Sequence, residues 1–128
     1  MRIALEAAAV LFAGALATAC NYGREDPIET ARKLTGGEPE RGKAAIGKYG
    51  CAGCHTIPGI PDATATVGPP LSNIASRQIL GGHLTNTPDN MRHWIQKPQE
   101  VDPKNVMPDM GVTDQDARDI TAYLYTLK

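Results

Sequence analysis

The sequence predicts a small all-α domain: three main helices, a few short ones, and long loops between them. Three observations carry this. Apolar residues recur at helical spacing in three separate stretches, each opened by a proline or a capping side chain. No segment alternates as a strand would. The connections are dense in proline and glycine, with 10 Pro and 13 Gly in 128 residues.

The chain is not uniform along its length. Residues 1–20 read MRIALEAAAVLFAGALATAC. Arg2 gives a positive start, and from Ala7 to Ala19 every residue but Thr18 is apolar or small. That length suits the core of an export signal and is short for a membrane span. Ala17-Thr18-Ala19 fits a small-residue cleavage site, so residues 1–19 are expected to be a signal peptide. Cys20 follows directly and resembles the lipidated cysteine of bacterial lipoproteins, although Leu16 stands four positions before it instead of three. Lipidation, plain cleavage and a retained anchor remain open, and each sends the rest of the chain out of the cytoplasm. Residues 20–38 carry charges of both signs, lack a convincing apolar face and end in Gly36-Gly37; they are expected to be a tether.

The folded unit is expected over 39–128. Glu38-Pro39-Glu40 opens a first helix, with Ala45, Ile46 and Tyr49 on one face. Thr87-Pro88-Asp89 opens a second, with Met91, Trp94 and Ile95 at i, i+3, i+4 and a stop at Lys97-Pro98. Thr113 opens a third, with Asp116 in capping-box position and Ala117, Ile120, Leu124 and Leu127 as its stripe. With 5% aromatic residues the core is thin, and loops as long as 57–70 and 97–111 need something to pack on. The net charge is -1, which excludes nucleic-acid binding by phosphate neutralisation.

Cys51-Ala52-Gly53-Cys54-His55 is C-x-x-C-H, the attachment signature of c-type haem. Two thiols at this spacing reach the two vinyl groups of one porphyrin, and the next histidine turns its imidazole onto the iron. Zinc needs a second ligand pair, and no second cysteine pair exists; His83 and His93 are ten apart. A thioredoxin-like pair needs a βαβ context, and a structural disulfide leaves His55 without a role. One covalent haem c, held by Cys51 and Cys54 with His55 on the iron, is therefore the expected cofactor. For the sixth ligand the candidates are Met91, Met107, Met110, His83 and His93. Met107 is preferred, because the loop Asn105-Val106-Met107-Pro108 can turn a thioether towards iron; Met110 in the same loop is the runner-up. Thioether ligation favours ferrous iron, and two filled axial sites point to electron transfer without bond chemistry.

From Pro39 to Lys128 the sequence resembles a class I cytochrome c. Gly42 and Ile46 match the family's N-terminal helix, and Ala122-Tyr123-Leu124 its crossing C-terminal helix. Gly68-Pro69-Pro70-Leu71 resembles the family's G-P-x-L, which implies that the Pro69 carbonyl orients His55. The resemblance further implies that Arg77 and Asn105 serve haem propionates. It places Trp94 on the methionine side of the haem, with Pro98 and Pro103 in the loop that delivers Met107. The stretch Asn86-Thr87-Pro88 to Pro98, followed by Met107-Pro108, resembles cytochrome c domains associated with terminal oxidases. The family's lysine-rich front is missing: Lys43, Lys48, Lys97 and Lys104 remain to ring the haem edge, while Asp109, Asp114, Asp116 and Asp119 make the C-terminal region acidic.

The resemblance implies a carrier of single electrons, expected to be a monomer and not an enzyme; the N-terminal segment adds the expectation that it is periplasmic and held at the membrane through lipid on Cys20 or an uncleaved 1–19 segment. Its expected donor is a quinol-oxidising complex and its acceptor a terminal oxidase. The rival readings are a dedicated electron-transfer subunit of one oxidase or dehydrogenase, and a haem enzyme or gas sensor with an open sixth site.

Overall fold

Proline stands in the first turn of four helices, where a backbone N–H has no partner to lose. The structure is a computed structural model and describes residues 25–128; the expected signal peptide 1–19 and Cys20 lie outside the described residues. The described elements are α1 (Pro27–Thr35), α2 (Pro39–Lys48), a 3₁₀ turn at Cys51–Gly53, another at Ile74–Ser76, β1 (Ile79–Leu80), β2 (Leu84–Thr85), α3 (Pro88–Gln96), α4 (Pro98–Val101) and α5 (Asp114–Tyr125). The fold is therefore mostly helical, as expected. No described helix is long and apolar enough to cross a membrane.

The described part of the expected tether is structured. Asp26 caps α1 by accepting the Ile28 N–H, and Gly36 ends the helix in the left-handed conformation. Ala31 and Thr35 are buried, and the helix lies on α5. A Cβ added at Gly37 would lie 2.3 Å from the Arg118 carbonyl oxygen and 3.1 Å from the Ala122 Cβ. Small residues make this contact, so no large apolar stripe marks it in the sequence.

The centre of the fold is the crossing of α2 and α5. At Gly42 an added Cβ would lie 1.9 Å from the Asp119 carbonyl oxygen, so only glycine lets the two backbones meet. Ala45 and Ile46 of α2 bury against Ala117, Ile120 and Leu124 of α5. Thr113 caps α5 through the Asp116 N–H, but the Asp116 carboxylate does not complete a capping box. It accepts instead from Lys48 Nζ at 2.8 Å and Tyr49 OH at 2.7 Å.

Asp119 looks in sequence like one more surface acid, yet it is 1% exposed. Its carboxylate accepts from the Glu38 N–H at 2.7 Å, from Arg41 Nε at 2.8 Å and from Gln115 Nε2 at 3.1 Å. Burial opposes its charge, but the Arg41 guanidinium, the Glu38 N–H and Gln115 outweigh burial and hold the carboxyl below its ordinary value. A carboxyl lowered by folding contributes stability above its unfolded value, about pH 3.9, and that contribution is lost as pH falls through the folded value. Asp119→Asn is expected to cost about 2 kcal/mol at neutral pH, because buried donors lose their acceptor. The gap from wild type is expected to shrink once pH drops below about 4. Urea melts of the holoprotein across this range check both statements, and a gap independent of pH contradicts them.

The long loops are pinned by single polar contacts. Tyr123 OH donates to the Pro58 carbonyl at 2.6 Å, which fastens the 57–70 loop to α5. Asn86 donates to the Ile74 and Arg77 carbonyls and accepts from Tyr125 OH. β1 and β2 form an antiparallel hairpin two residues long, too short to show alternation in sequence; Gly81 and Gly82, both at positive φ, make its turn. α3 is capped by Thr87 and buries Met91 and Ile95, and it stops where Pro98 forbids continuation.

Candidate functional site

α2, α3, α5 and the loops enclose a cavity of about 240 Å³. Its deep wall is apolar, built from Ile46, Leu80, Met91, Ile95, Ile120 and Leu124. A pocket of this kind, walled by hydrophobic side chains with a few placed polar groups, suits a flat organic cofactor.

The cysteine motif follows α2 through a reversal at Gly50, which takes a positive φ. The 3₁₀ turn is closed by the Cys54 and His55 N–H groups, both donating to the Cys51 carbonyl at 3.2 and 3.0 Å. Cys51, Cys54 and His55 all line the cavity. Both thiols are free and half-buried, and burial pushes the Cys51 thiol above its ordinary value.

His55 is held in one orientation. Its Nδ1 lies 2.7 Å from the Pro69 carbonyl oxygen, which can only accept. Nδ1 therefore carries the proton, and Nε2 keeps its lone pair for a metal. The Gly68 N–H donates to the Cys54 carbonyl at 2.7 Å, so the two segments run side by side. A Cβ on Gly68 would fall 2.4 Å from His55 Cε1 and 2.7 Å from Nδ1.

Arg77 lines the cavity, and its guanidinium donates to the Pro70 and Ser72 carbonyls. Trp94 rests its ring on Gly81, where a Cβ would come within 2.4 Å. Asn105 accepts the Met107 N–H at 3.0 Å through Oδ1; its Nδ2 is buried with no partner among the described residues. Gln99 donates to the Met107 carbonyl at 2.6 Å and braces the same loop from α4.

The structure thus brings Cys51, Cys54, His55, Pro69, Arg77, Trp94, Asn105 and Met107 to one cavity from four stretches of chain. Met110 also lines it, 44% exposed, and Met91 lines it from the buried core. His83 and His93 stand elsewhere, near Asp102 and Glu100. Sequence reasoning gave no role to Gly68 or Gly81, whose contacts depend on another segment arriving over them. A glycine directly before the proline of G-P-x-L was the one available signal. The four lysines expected to ring the site do not line it: Lys48 pairs with Asp116 at 2.8 Å and Lys97 with Asp109 at 2.9 Å.

These residues fit a covalently held haem. Two thiols at the cavity wall, an imidazole with its Nε2 lone pair spare, a thioether and apolar walls match the macrocycle and its iron. The orphaned Asn105 Nδ2 and the Arg77 guanidinium match its carboxylates. Among the described residues no three of His, Cys, Asp and Glu gather to hold a metal ion by themselves.

The family model for Cytochrome c matches residues 39–128. Over 107 residues, 81% of this chain, it is 34% identical to a cytochrome c oxidase subunit 2 of Alkalihalophilus pseudofirmus. It is 27% identical over 107 residues, 79% of the chain, to a cytochrome c oxidase subunit 2 of Bacillus sp. (strain PS3). The matched part spans 28% and 30% of those two relatives. No solved structure matches the chain.

Proposed function

This chain belongs to the cytochrome c family, and from that premise we propose that it carries single electrons outside the cytoplasm on one covalent haem with histidine and methionine ligands. The observation that supports this most is the convergence of Cys51, Cys54, His55, Pro69, Asn105 and Met107 on one cavity. Haem c, when bound, supplies a one-electron iron couple. The chain's part is to hold and tune it. Cys51 and Cys54 anchor it covalently. Pro69 fixes the His55 tautomer and strengthens the imidazole as a ligand. Met107 offers a soft sulfur that favours ferrous iron and raises the potential. Ile46, Leu80, Met91 and Ile120 exclude water. Trp94 packs on the methionine side. Arg77 and Asn105 neutralise or hydrogen-bond the propionates, which are costly to bury without a partner.

The proposed acceptor is a terminal oxidase, in keeping with the two relatives, and the proposed donor a quinol-oxidising complex. The protein acts as a monomer held at the membrane through lipid on Cys20 or an uncleaved 1–19 segment, on the periplasmic side. That both relatives are oxidase subunits favours one second reading, a dedicated electron-transfer module of an oxidase complex. Copurification with an oxidase after detergent extraction supports that reading; a cytochrome released alone supports the mobile carrier.

Met107→Ala tests the ligand assignment. The reduction potential of the holoprotein is expected to fall by on the order of 0.1 V, and its ferrous form is expected to bind carbon monoxide. Met110→Ala is expected to leave both unchanged. The reverse outcome assigns Met110, and an unchanged pair of variants excludes thioether ligation from this loop.

A further inference from the structure

The end of α3 and the start of α4 run beside the loop that carries Met107, and three of their side chains hold it. Gln96 Nε2 donates to the Val112 carbonyl at 3.1 Å. Lys97 Nζ reaches the Asp109 carboxylate at 2.9 Å. Gln99 Nε2 donates to the Met107 carbonyl at 2.6 Å. The two segments are gripped in opposite chain order, 96 to 112, 97 to 109 and 99 to 107. Pro98, in the middle of this rail, is fully buried and seats it on the body of the fold.

The loop is held by little else. Among the described residues no backbone group from Val106 to Val112 bonds to another backbone group. Asn105 accepts the Met107 N–H at 3.0 Å and Asp109 the Gly111 N–H at 2.9 Å, but both bonds close within the loop and tie it to nothing outside. The Lys97–Asp109 pair is a surface pair, 52% and 39% exposed, and such pairs hold weakly. Gln96 acts at the far end of the loop. Among the described residues the Gln99 amide is therefore the polar contact that joins the Met107 backbone to another element. A methionine side chain turns about three bonds, so the place of its sulfur depends on how firmly its backbone is held. A segment without ladder bonds opens readily, and each opening carries the thioether away from the cavity.

We propose that Gln99 is a positioning residue for the sixth iron ligand: its bond to the Met107 carbonyl keeps the thioether in place against competing external ligands. This rests on the reading of Met107 as that ligand. An external ligand binds only when the loop has opened, so its apparent dissociation constant falls as the opened fraction rises. Loss of one hydrogen bond of ordinary strength raises that fraction about fivefold.

Imidazole titration of the ferric holoprotein, followed by absorption, tests this. Gln99→Glu keeps the size of the side chain but loses the N–H donor at neutral pH, and Gln99→Ala removes the amide altogether. Both are expected to bind imidazole about fivefold more tightly than wild type, while Lys97→Gln differs from wild type by less than about twofold. Gln99 is exposed, so the urea midpoints of its two variants are expected to stay close to wild type. A lowered midpoint with wild-type imidazole affinity reduces Gln99 to a merely structural part and overturns the proposal. A Lys97→Gln effect larger than that of both Gln99 variants overturns it as well. Met107→Ala in the same titration keeps the parent reading separate. If that variant binds imidazole tightly while both Gln99 variants match wild type, the proposal alone fails. If Met107→Ala binds no more tightly than wild type, the ligand reading fails with it.

Discussion

Gly42→Ala is expected to cost the holoprotein about 3 kcal/mol or more, a large part of the stability of a domain this size. The new methyl carbon would sit 1.9 Å from the Asp119 carbonyl oxygen, 2.5 Å from its carbon and 2.9 Å from the Ile120 nitrogen. All three are backbone atoms in the middle of α5, so no rotamer change relieves the clash. The helices must separate, and separation opens the contact of Ala45 and Ile46 with Ala117, Ile120 and Leu124. It also strains the Asp119 bonds to Glu38 and Arg41, which tie the start of α2 to α5. Gly47, in the same helix, has nothing within 4 Å of an added Cβ. Gly47→Ala is therefore expected to stabilise by up to about 1 kcal/mol, through helix propensity alone. Thermal or urea unfolding of the pair separates packing from propensity. Equal effects at both positions contradict the crossing described here.

Gly68→Ala is expected to act on the iron site and only weakly on the fold. The added methyl would meet His55 Cε1 at 2.4 Å, Nδ1 at 2.7 Å and Nε2 at 2.9 Å. All three atoms belong to the imidazole ring, and moving the ring breaks the 2.7 Å bond to the Pro69 carbonyl. Haem remains attached through Cys51 and Cys54, because thioether bonds do not depend on the imidazole. The expected signature is a change from low-spin to mixed-spin ferric absorption, with a ferrous form that takes up carbon monoxide. The fold is expected to lose no more than about 2 kcal/mol. Absorption spectra of the purified variant check this, and an unchanged low-spin spectrum contradicts the role given to Gly68 and Pro69.

Helix starts were legible because they are local chemistry. Pro39, Thr87-Pro88 and Thr113 mark the first turns of α2, α3 and α5, and the cap needs only residues within one turn. α1 was not legible. Its buried side chains are Ala31 and Thr35, too small to stand out from a polar stretch, and its partner surface on α5 lies some eighty residues away. The hairpin at 79–85 escaped for a different reason: two residues per strand leave no alternation to see.

The site divides along the same line. The spacing of Cys51, Cys54 and His55 states its chemistry within five residues. Pro69, Arg77, Trp94 and Asn105 were placed only by their order along the chain, through resemblance, and the cavity then gathers them. What a glycine admits is settled by the segment that arrives over it, so Gly81 carried no visible signal and Gly68 only its place before Pro69 in G-P-x-L. The acidic C-terminal region misled in one respect. Asp109, Asp116 and Asp119 add up to a negative field in the sequence, yet each is matched by Lys97, Lys48 or Arg41 in the fold. Charge counts see residues; pairing needs three dimensions.

The central claim is that one haem is joined covalently to Cys51 and Cys54. Intact mass of the protein, produced by a bacterium able to mature c-type cytochromes and extracted with acidified acetone, tests it most directly. The expected result is a polypeptide heavier by one haem whose colour stays with the protein, both lost in the Cys51→Ala, Cys54→Ala double variant. A wild-type chain at its bare polypeptide mass, with both thiols free to alkylate, contradicts it.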